Sequence, residues 1–422
     1  MGLDTRSVVL KSAICLVVLC GGIRWMLKPS PAVAAPPAAP TALQRLPGHF
    51  MLGVTSSPGD KWVAEVRKDG AQFDIRYQYI CSGVNTKSNW KNWNSPPGQF
   101  ALDYLKDSDR MGTIPCLTYY QMYQSLPCAG KGDEAQGNKK NVENAETMKA
   151  YYEDFHLLLQ KAGQFGKTVI IHHEPDLWGY FSVGGAFKPN DPDQIKVMVK
   201  SSGAPEAVGF DDTAAGFGKC LVNMRDKLAP NVLLAWHASK WGDPNPRTMA
   251  AFAMRCGKWD LIFTDPSDRD AEWKVAHGSK ASDVWWTEKS FVSFRDWSGE
   301  IHRQTGLPLM AWQIPMGNSI MATCNNTDGH YMDNRVEYFL EDYPANKHIA
   351  EWAAAGYIGL LWGGGAGGCT DCRDGKKDGI TNPTPVKNNK GDKATFADDD
   401  GGYLRIRAAN YYAKKPLPLP VK

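Results

Sequence analysis

The chain has no excess of charge of either sign: 48 Lys and Arg stand against 45 Asp and Glu, leaving a net charge of +3 over 422 residues. No run of Lys and Arg forms a basic stripe, so no nucleic-acid partner is expected. Three catalytic signatures are also missing: a Ser nucleophile elbow, a phosphate-cradling glycine loop and a His-Glu-x-x-His metal site. Cys369-Thr370-Asp371-Cys372 is a lone C-x-x-C with no second pair or histidine at ligand spacing, and is weak support for zinc. The expectation is a protein without a metal or cofactor. Internal sequence repeats are absent, which argues against a solenoid or propeller. The apolar run at residues 12–23 is short for a full bilayer span.

That run does have a targeting layout. Arg6 and Lys11 precede it, Arg24 follows, and a Pro/Ala-rich stretch continues to Pro40. Ala32-Val33-Ala34 supplies a small-residue cleavage motif, so residues 1–34 read as a secretory signal peptide. An uncleaved N-terminal anchor tethering the chain to a membrane is the alternative. Either way an exported protein is expected, at the cell surface, in the periplasm or secreted. Residues 35–45 read as a linker and residues 46–415 as one domain. Export makes disulfides the expectation for the eight cysteines beyond the leader, with Cys116–Cys128 stapling a loop and the C-x-x-C pairing with Cys324. Hydrophobic content of 43% and charged content of 22% are those of an ordinary globular protein. The aromatic load is heavier: 15 Trp, 16 Tyr and 15 Phe give many flat faces on which sugar rings stack.

The most informative stretch is residues 167–181, K-T-V-I-I-H-H-E-P-D-L-W-G-Y-F. Its β-branched run suits a strand buried on both faces, and Pro175 stops that strand just after two imidazoles and a carboxylate. Similar apolar runs at residues 49–55, 73–79, 113–119, 168–172, 232–237, 261–264, 309–313 and 357–362 predict eight strands. Helical periodicity fills the gaps. Met148, Tyr151, Tyr152, Phe155, Leu158, Leu159 and Ala162 share one face, and residues 291–305, 336–355 and 403–413 predict further helices. Gly163, Gly306 and Gly356 stand where helices should end before strands. This alternation predicts an α/β fold, a single-domain (β/α)8 barrel.

A barrel gathers its strand ends into one mouth, where active sites of this fold are built. The candidates there are Arg76 and Tyr79 on the second strand, Tyr119 on the third, and His172, His173 and Glu174 on the fourth, with Trp178 and Tyr180 following. Trp236 and His237 end the fifth, Asp265 the sixth, Trp312 and Gln313 the seventh, and Trp362 the eighth. Carboxylates among aromatic rings suit cleavage of a glycosidic bond, which needs a protonated acid for the leaving oxygen and a second carboxylate opposite. The expected partner is a polysaccharide or oligosaccharide. Oligomeric state is not legible.

Three strand ends carry a resemblance. His173-Glu174-Pro175-Asp176-Leu177-Trp178, Asn231-Val232-Leu233-Leu234-Ala235-Trp236 and Asp260-Leu261-Ile262-Phe263-Thr264-Asp265 are similar to the fourth, fifth and sixth strand ends of clan A glycoside hydrolases, most closely the family 26 mannanase group. The resemblance implies a glycosidase barrel with Glu174 as general acid/base. It also implies a Glu nucleophile ending the seventh strand, where Pro308-Leu309-Met310-Ala311-Trp312 leads instead to Gln313. An amide is no carboxylate nucleophile. Either Asp265 or the run Asp398-Asp399-Asp400 supplies the second carboxylate, or a substrate acetamido group oriented by Gln313 replaces it. The remaining alternative is a glycan-binding or assembly protein without activity, on a hydrolase scaffold.

Overall fold

Each apolar run read as a strand is a strand, and the boundaries agree to within two residues. The computed structural model describes residues 41–371 and 402–420. Its strands are β1 Met51–Thr55, β2 Ile75–Ile80, β3 Ile114–Tyr119, β4 Val169–His173, β5 Val232–Ala238, β6 Leu261–Thr264, β7 Leu309–Ile314 and β8 Tyr357–Trp362. They pair in parallel in chain order and β8 pairs with β1, closing an eight-stranded barrel with no exposed edge.

The two-residue period of the strands sorts their side chains into two cores. Ile75, Tyr77, Cys116, Ile170, Leu233, Phe263, Met310 and Leu361 fill the barrel interior. Leu52, Leu117, Ile171, Leu234, Ile262, Ala311 and Leu360 face outward into a second core under the helices. Those helices are α1 Trp62–Lys68, α2 Gln99–Arg110, α3 Glu134–Val142, α4 Ala145–Phe165, α5 Pro175–Val183, α6 Ala214–Leu228, α7 Pro246–Arg255, α8 Ala271–Ala276, α9 Ala281–Val284, α10 Glu288–Thr305, α11 Arg335–Leu340, α12 His348–Ala354 and α13 Gly402–Ala413. The seven apolar residues predicted for one face of α4 are all buried.

Two helix ends differ from the sequence reading. α4 runs through Gly163 and stops at Gly166, which takes the left-handed conformation at φ 77°. Gly163 is there for close packing instead: a Cβ at that position would lie 2.6 Å from the carbonyl oxygen of Leu228 at the end of α6. The helix predicted over residues 336–355 is two helices, α11 and α12, separated by a segment containing Pro344, which offers no N–H to an unbroken helix.

The disulfide expectation is corrected. Cys116 lies inside the barrel and Cys128 in the loop after β3, and both are free thiols, as are Cys81, Cys220, Cys256 and Cys369. Cys369 therefore makes no bridge to Cys324, which accepts a hydrogen bond from Asn318 at 3.2 Å. Cys372, the leader and the run Asp398–Asp400 lie outside the described residues.

Candidate active site

A cleft of about 740 Å³ opens at the C-terminal ends of the strands. Tyr79, His237, Asp265, Trp312 and Gln313, all predicted from the sequence, line it. Trp312 and Gln313 are neighbours, and regular alternation would send one of them outward. A bulge prevents that: the β7–β8 register slips between Ala311 and Ile314, and Gln313 takes a positive φ of 57°. Its amide then donates to the Tyr79 hydroxyl across the cleft floor.

Strand parity takes several other predicted residues away from the cleft. Arg76 has the outward parity and is buried against α2, where it donates to Asp107 at 3.0 Å and to Ser108 at 3.3 Å. Tyr119 also faces out and donates to Asp154 of α4 at 2.7 Å. Trp236 packs on Trp178 with ring centroids 5.8 Å apart, and Trp362 packs on Phe339 at 6.0 Å, both within the outer core. Tyr180 stands at the edge, with its ring 4.9 Å from Trp241 and its hydroxyl 3.4 Å from Glu134.

Glu174 caps α5 with a positive φ of 43°, and it is not among the residues lining the cleft. Only 1% of it is exposed. Its Oε1 accepts from the backbone N–H groups of Gln121 and Met122, each at 3.0 Å, and from the Tyr151 hydroxyl at 2.9 Å. Oε2 is buried with no hydrogen-bond partner. Burial pushes this carboxyl up to about 8, beyond what the donors on Oε1 offset. Behind it, the Trp178 indole N–H donates to His173 Nδ1 at 3.1 Å, which leaves Nε2 to carry the proton toward Tyr151 at 2.8 Å. Burial holds His173 at about 3, so the ring is neutral. His173 and Trp178 thus sit behind Tyr151 and Glu174, on the far side from any ligand in the cleft.

A second chain runs through the barrel interior. Asp265 Oδ1 lies 3.1 Å from His237 Nε2, His237 Nδ1 lies 2.9 Å from His172 Nε2, and His172 Nδ1 lies 3.3 Å from Thr118 Oγ1. With His237 donating to the carboxylate, each ring has one consistent tautomer: Thr118 donates to His172, His172 to His237, and His237 to Asp265. Burial first, and then the neighbouring rings, hold the His172 pKa well below the ordinary imidazole value. His172 is therefore a neutral relay beneath the cleft floor.

The cleft also holds charged residues that are not among the sequence candidates. Asp176, in the first turn of α5, lines it together with Glu134, Asp268, Lys240, Arg269 and Lys274. Burial, then repulsion from Glu134 and Asp265, pushes the Asp176 carboxyl up to about 7. The N-terminus of α5 favours the charged form by only about 0.3–1 kcal/mol, too little to reverse a shift of that size. Burial raises Glu134 as well, against donors from Tyr120 and Tyr180. Asp176 was already in view as the fourth residue of His-Glu-Pro-Asp. Pro175 is the sequence signal that a helix opens there, with Asp176 in its first turn. Among the described residues, no group of three His, Cys, Asp or Glu side chains is arranged to hold a metal ion.

These features define a (β/α)8 barrel with an aromatic, carboxylate-bearing cleft at the mouth. No family model matches the chain, and no curated protein matches its sequence. Solved structures do resemble it. A β-glucosidase from Thermotoga maritima, in complex with castanospermine, is 12% identical over 88% of this chain and 99% of its own, with a TM-score of 0.49. A modular endo-β-1,4-mannanase from Cellulomonas fimi, described with the glycoside hydrolase family 26 mannanases, is 11% identical over 76% of this chain and 67% of its own, with a TM-score of 0.45. The family 26 domain of a Prevotella bryantii endo-β-mannanase/endo-β-glucanase is 10% identical over 76% of this chain and 86% of its own, with a TM-score of 0.39. Family 26 structures are among those similar to it.

Proposed function

We propose that the protein cleaves glycosidic bonds of a polysaccharide by acid/base catalysis, with Asp176 as proton donor and Asp265 as the second carboxylate. The observation that carries this reading is the Asp176 carboxyl, pushed up to about 7 on the wall of an aromatic cleft. A carboxylic acid that keeps its proton near neutrality can pass it to a leaving oxygen. Asp265 faces the same cleft and is oriented by His237. The sequence expectation named Glu174 as the donor. Its burial and the three hydrogen bonds to Oε1 suit a residue that fixes the loop after β3, so it is read here as a positioning group. Trp312, Trp241 and Tyr79 supply faces and a hydroxyl for the sugar.

Release of reducing ends from a panel of plant and microbial polysaccharides tests the reading. Asp176→Asn and Asp265→Asn should each lower turnover by about 10²–10⁴-fold while leaving the fold intact. Proton NMR of the first product anomer then distinguishes retention, which needs carboxyl groups about 5–5.5 Å apart, from inversion, which needs about 6.5–9.5 Å.

A second reading is a sugar-binding barrel without chemistry. It is favoured by Gln313, an amide hydrogen-bonded to Tyr79 where the resemblance implies a nucleophilic Glu. Polysaccharide binding by the wild-type protein, with no release of reducing ends from any member of the panel, would establish it.

A further inference from the structure

One wall of the cleft carries more positive charge than the carboxylates of that wall balance. Lys240, on the loop after β5, lines the cleft and donates to Ser293 Oγ at 3.1 Å and to the Ser293 carbonyl at 3.2 Å. Its ammonium lies 5.8 Å from the centre of the Phe294 ring, and among the described residues no carboxylate forms an ion pair with it. On the loop after β6 one carboxylate, Asp268, serves two cations: Arg269, which donates to it through one guanidinium N–H, and Lys274, 3.3 Å away. The Arg269 guanidinium lies 5.1 Å over Trp273, and its buried Nε–H finds no acceptor. Beside Lys240 in sequence, Trp241 is 46% exposed and lines the same space.

On the opposite wall Asp176 and Glu134 line the cleft, burial pushing both carboxyls up, and neither forms an ion pair with Lys240 among the described residues. Asp265, the remaining carboxylate of the cleft, accepts from His237 and stands near Lys274, not paired with Lys240. Burial lowers the Lys240 pKa, as it does for a cation stripped of water before its counter-ion arrives.

We infer that the substrate is an acidic glycan, whose carboxylate or sulfate groups are read by Lys240 and Arg269 while its sugar rings lie on Trp241. This rests on the glycan-cleaving reading above and names its substrate class. A neutral glycan would leave the Lys240 ammonium, bonded only to Ser293, without an anionic partner as water is displaced. An anion supplies that partner through a charge-assisted hydrogen bond.

Matched ligand pairs test it by intrinsic tryptophan fluorescence at about 0.15 M salt, where diffuse surface attraction is screened. Mannohexaose is compared with the mannuronate hexamer, and dextran with dextran sulfate; the two arms separate a carboxylate reader from a sulfate reader. At least one acidic member should bind about tenfold more tightly than its neutral partner, the size of one charge-assisted contact. Lys240→Gln or Arg269→Gln should abolish that preference, with thermal melting showing each variant folded. Lys227→Gln, on α6 and outside the cleft, should leave it unchanged. Equal binding within both pairs, no binding in either, or a preference that survives both variants would overturn the inference. Cleavage of a neutral polysaccharide together with equal binding would remove the acidic substrate and leave the acid/base chemistry standing. A protein that binds and cleaves no glycan at all would remove both.

Discussion

Two carboxyl groups two residues apart stand at the fourth strand end, and burial raises both. Glu174 is pushed up to about 8 from 4.5, so the folded chain keeps a proton that the unfolded chain gives up above 4.5. This group therefore favours folding fully below 4.5, and that contribution is lost as pH rises toward 8. Glu174→Gln mimics the protonated acid and still offers an oxygen to Gln121 and Met122. Thermal unfolding should show the variant matching wild type at about pH 4 and exceeding it at about pH 8, by on the order of 4 kcal/mol. A variant less stable than wild type at the higher pH would mean that Glu174 folds as a carboxylate. Asp176 titrates in the cleft itself, and its acid form is the active one in this account. Turnover should therefore fall as pH rises through about 7, the value to which burial pushes it. A rate still climbing above about pH 8 would contradict the assignment. The sequence marked Glu174 as the candidate acid. It could not make legible which of Glu174 and Asp176 reaches the substrate, because that depends on a left-handed residue at the strand end and on the depth of the loop after β3.

At the scale of elements, eight apolar runs between helical periods were enough to read the barrel and nearly all its boundaries. What they did not reveal was parity. His172 and His173 cannot both face inward, nor can Trp236 and His237, yet strands buried on both faces give no polar side to mark the outside. Arg76 was misleading for a related reason: a charged residue at a strand suggests the mouth, but α2 offered it Asp107 and Ser108. The β7 bulge escaped notice because it comes from pairing with β8, a contact between segments far apart in sequence. Gly163 illustrates the same limit. Alanine there should gain about 1 kcal/mol of helix propensity. Its Cβ, however, would meet the Leu228 carbonyl oxygen at 2.6 Å, and backbone has little room to yield. Overpacking of this kind costs about 1–3 kcal/mol, so Gly163→Ala should be destabilising by up to about 2 kcal/mol in urea titrations. A stabilised variant would show that the α4–α6 contact is looser than drawn.

The whole molecule joins a leader-like N-terminus to a barrel whose described cysteines are mostly buried thiols. Export remains our proposal, and intact-mass measurement of the protein recovered outside the cytoplasm should show the loss of about 34 residues, the small-residue cleavage position expected of a signal peptide. Burial pushes the Cys116 and Cys256 thiols upward, which keeps both inert. They should resist a thiol reagent in the native protein and react once it is unfolded. Early reaction of Cys116 would mean that the barrel interior opens readily. The central claim is that this barrel cleaves glycans with Asp176 as the acid. The most direct measurement is reducing-end release at about pH 6 by wild type, Asp176→Asn and Glu174→Gln, on a polysaccharide that the wild type degrades. Asp176→Asn should lose about 10²–10⁴-fold and Glu174→Gln should stay within about tenfold of wild type. An inactive Glu174→Gln beside a fully active Asp176→Asn, or a wild type that cleaves nothing, would contradict it.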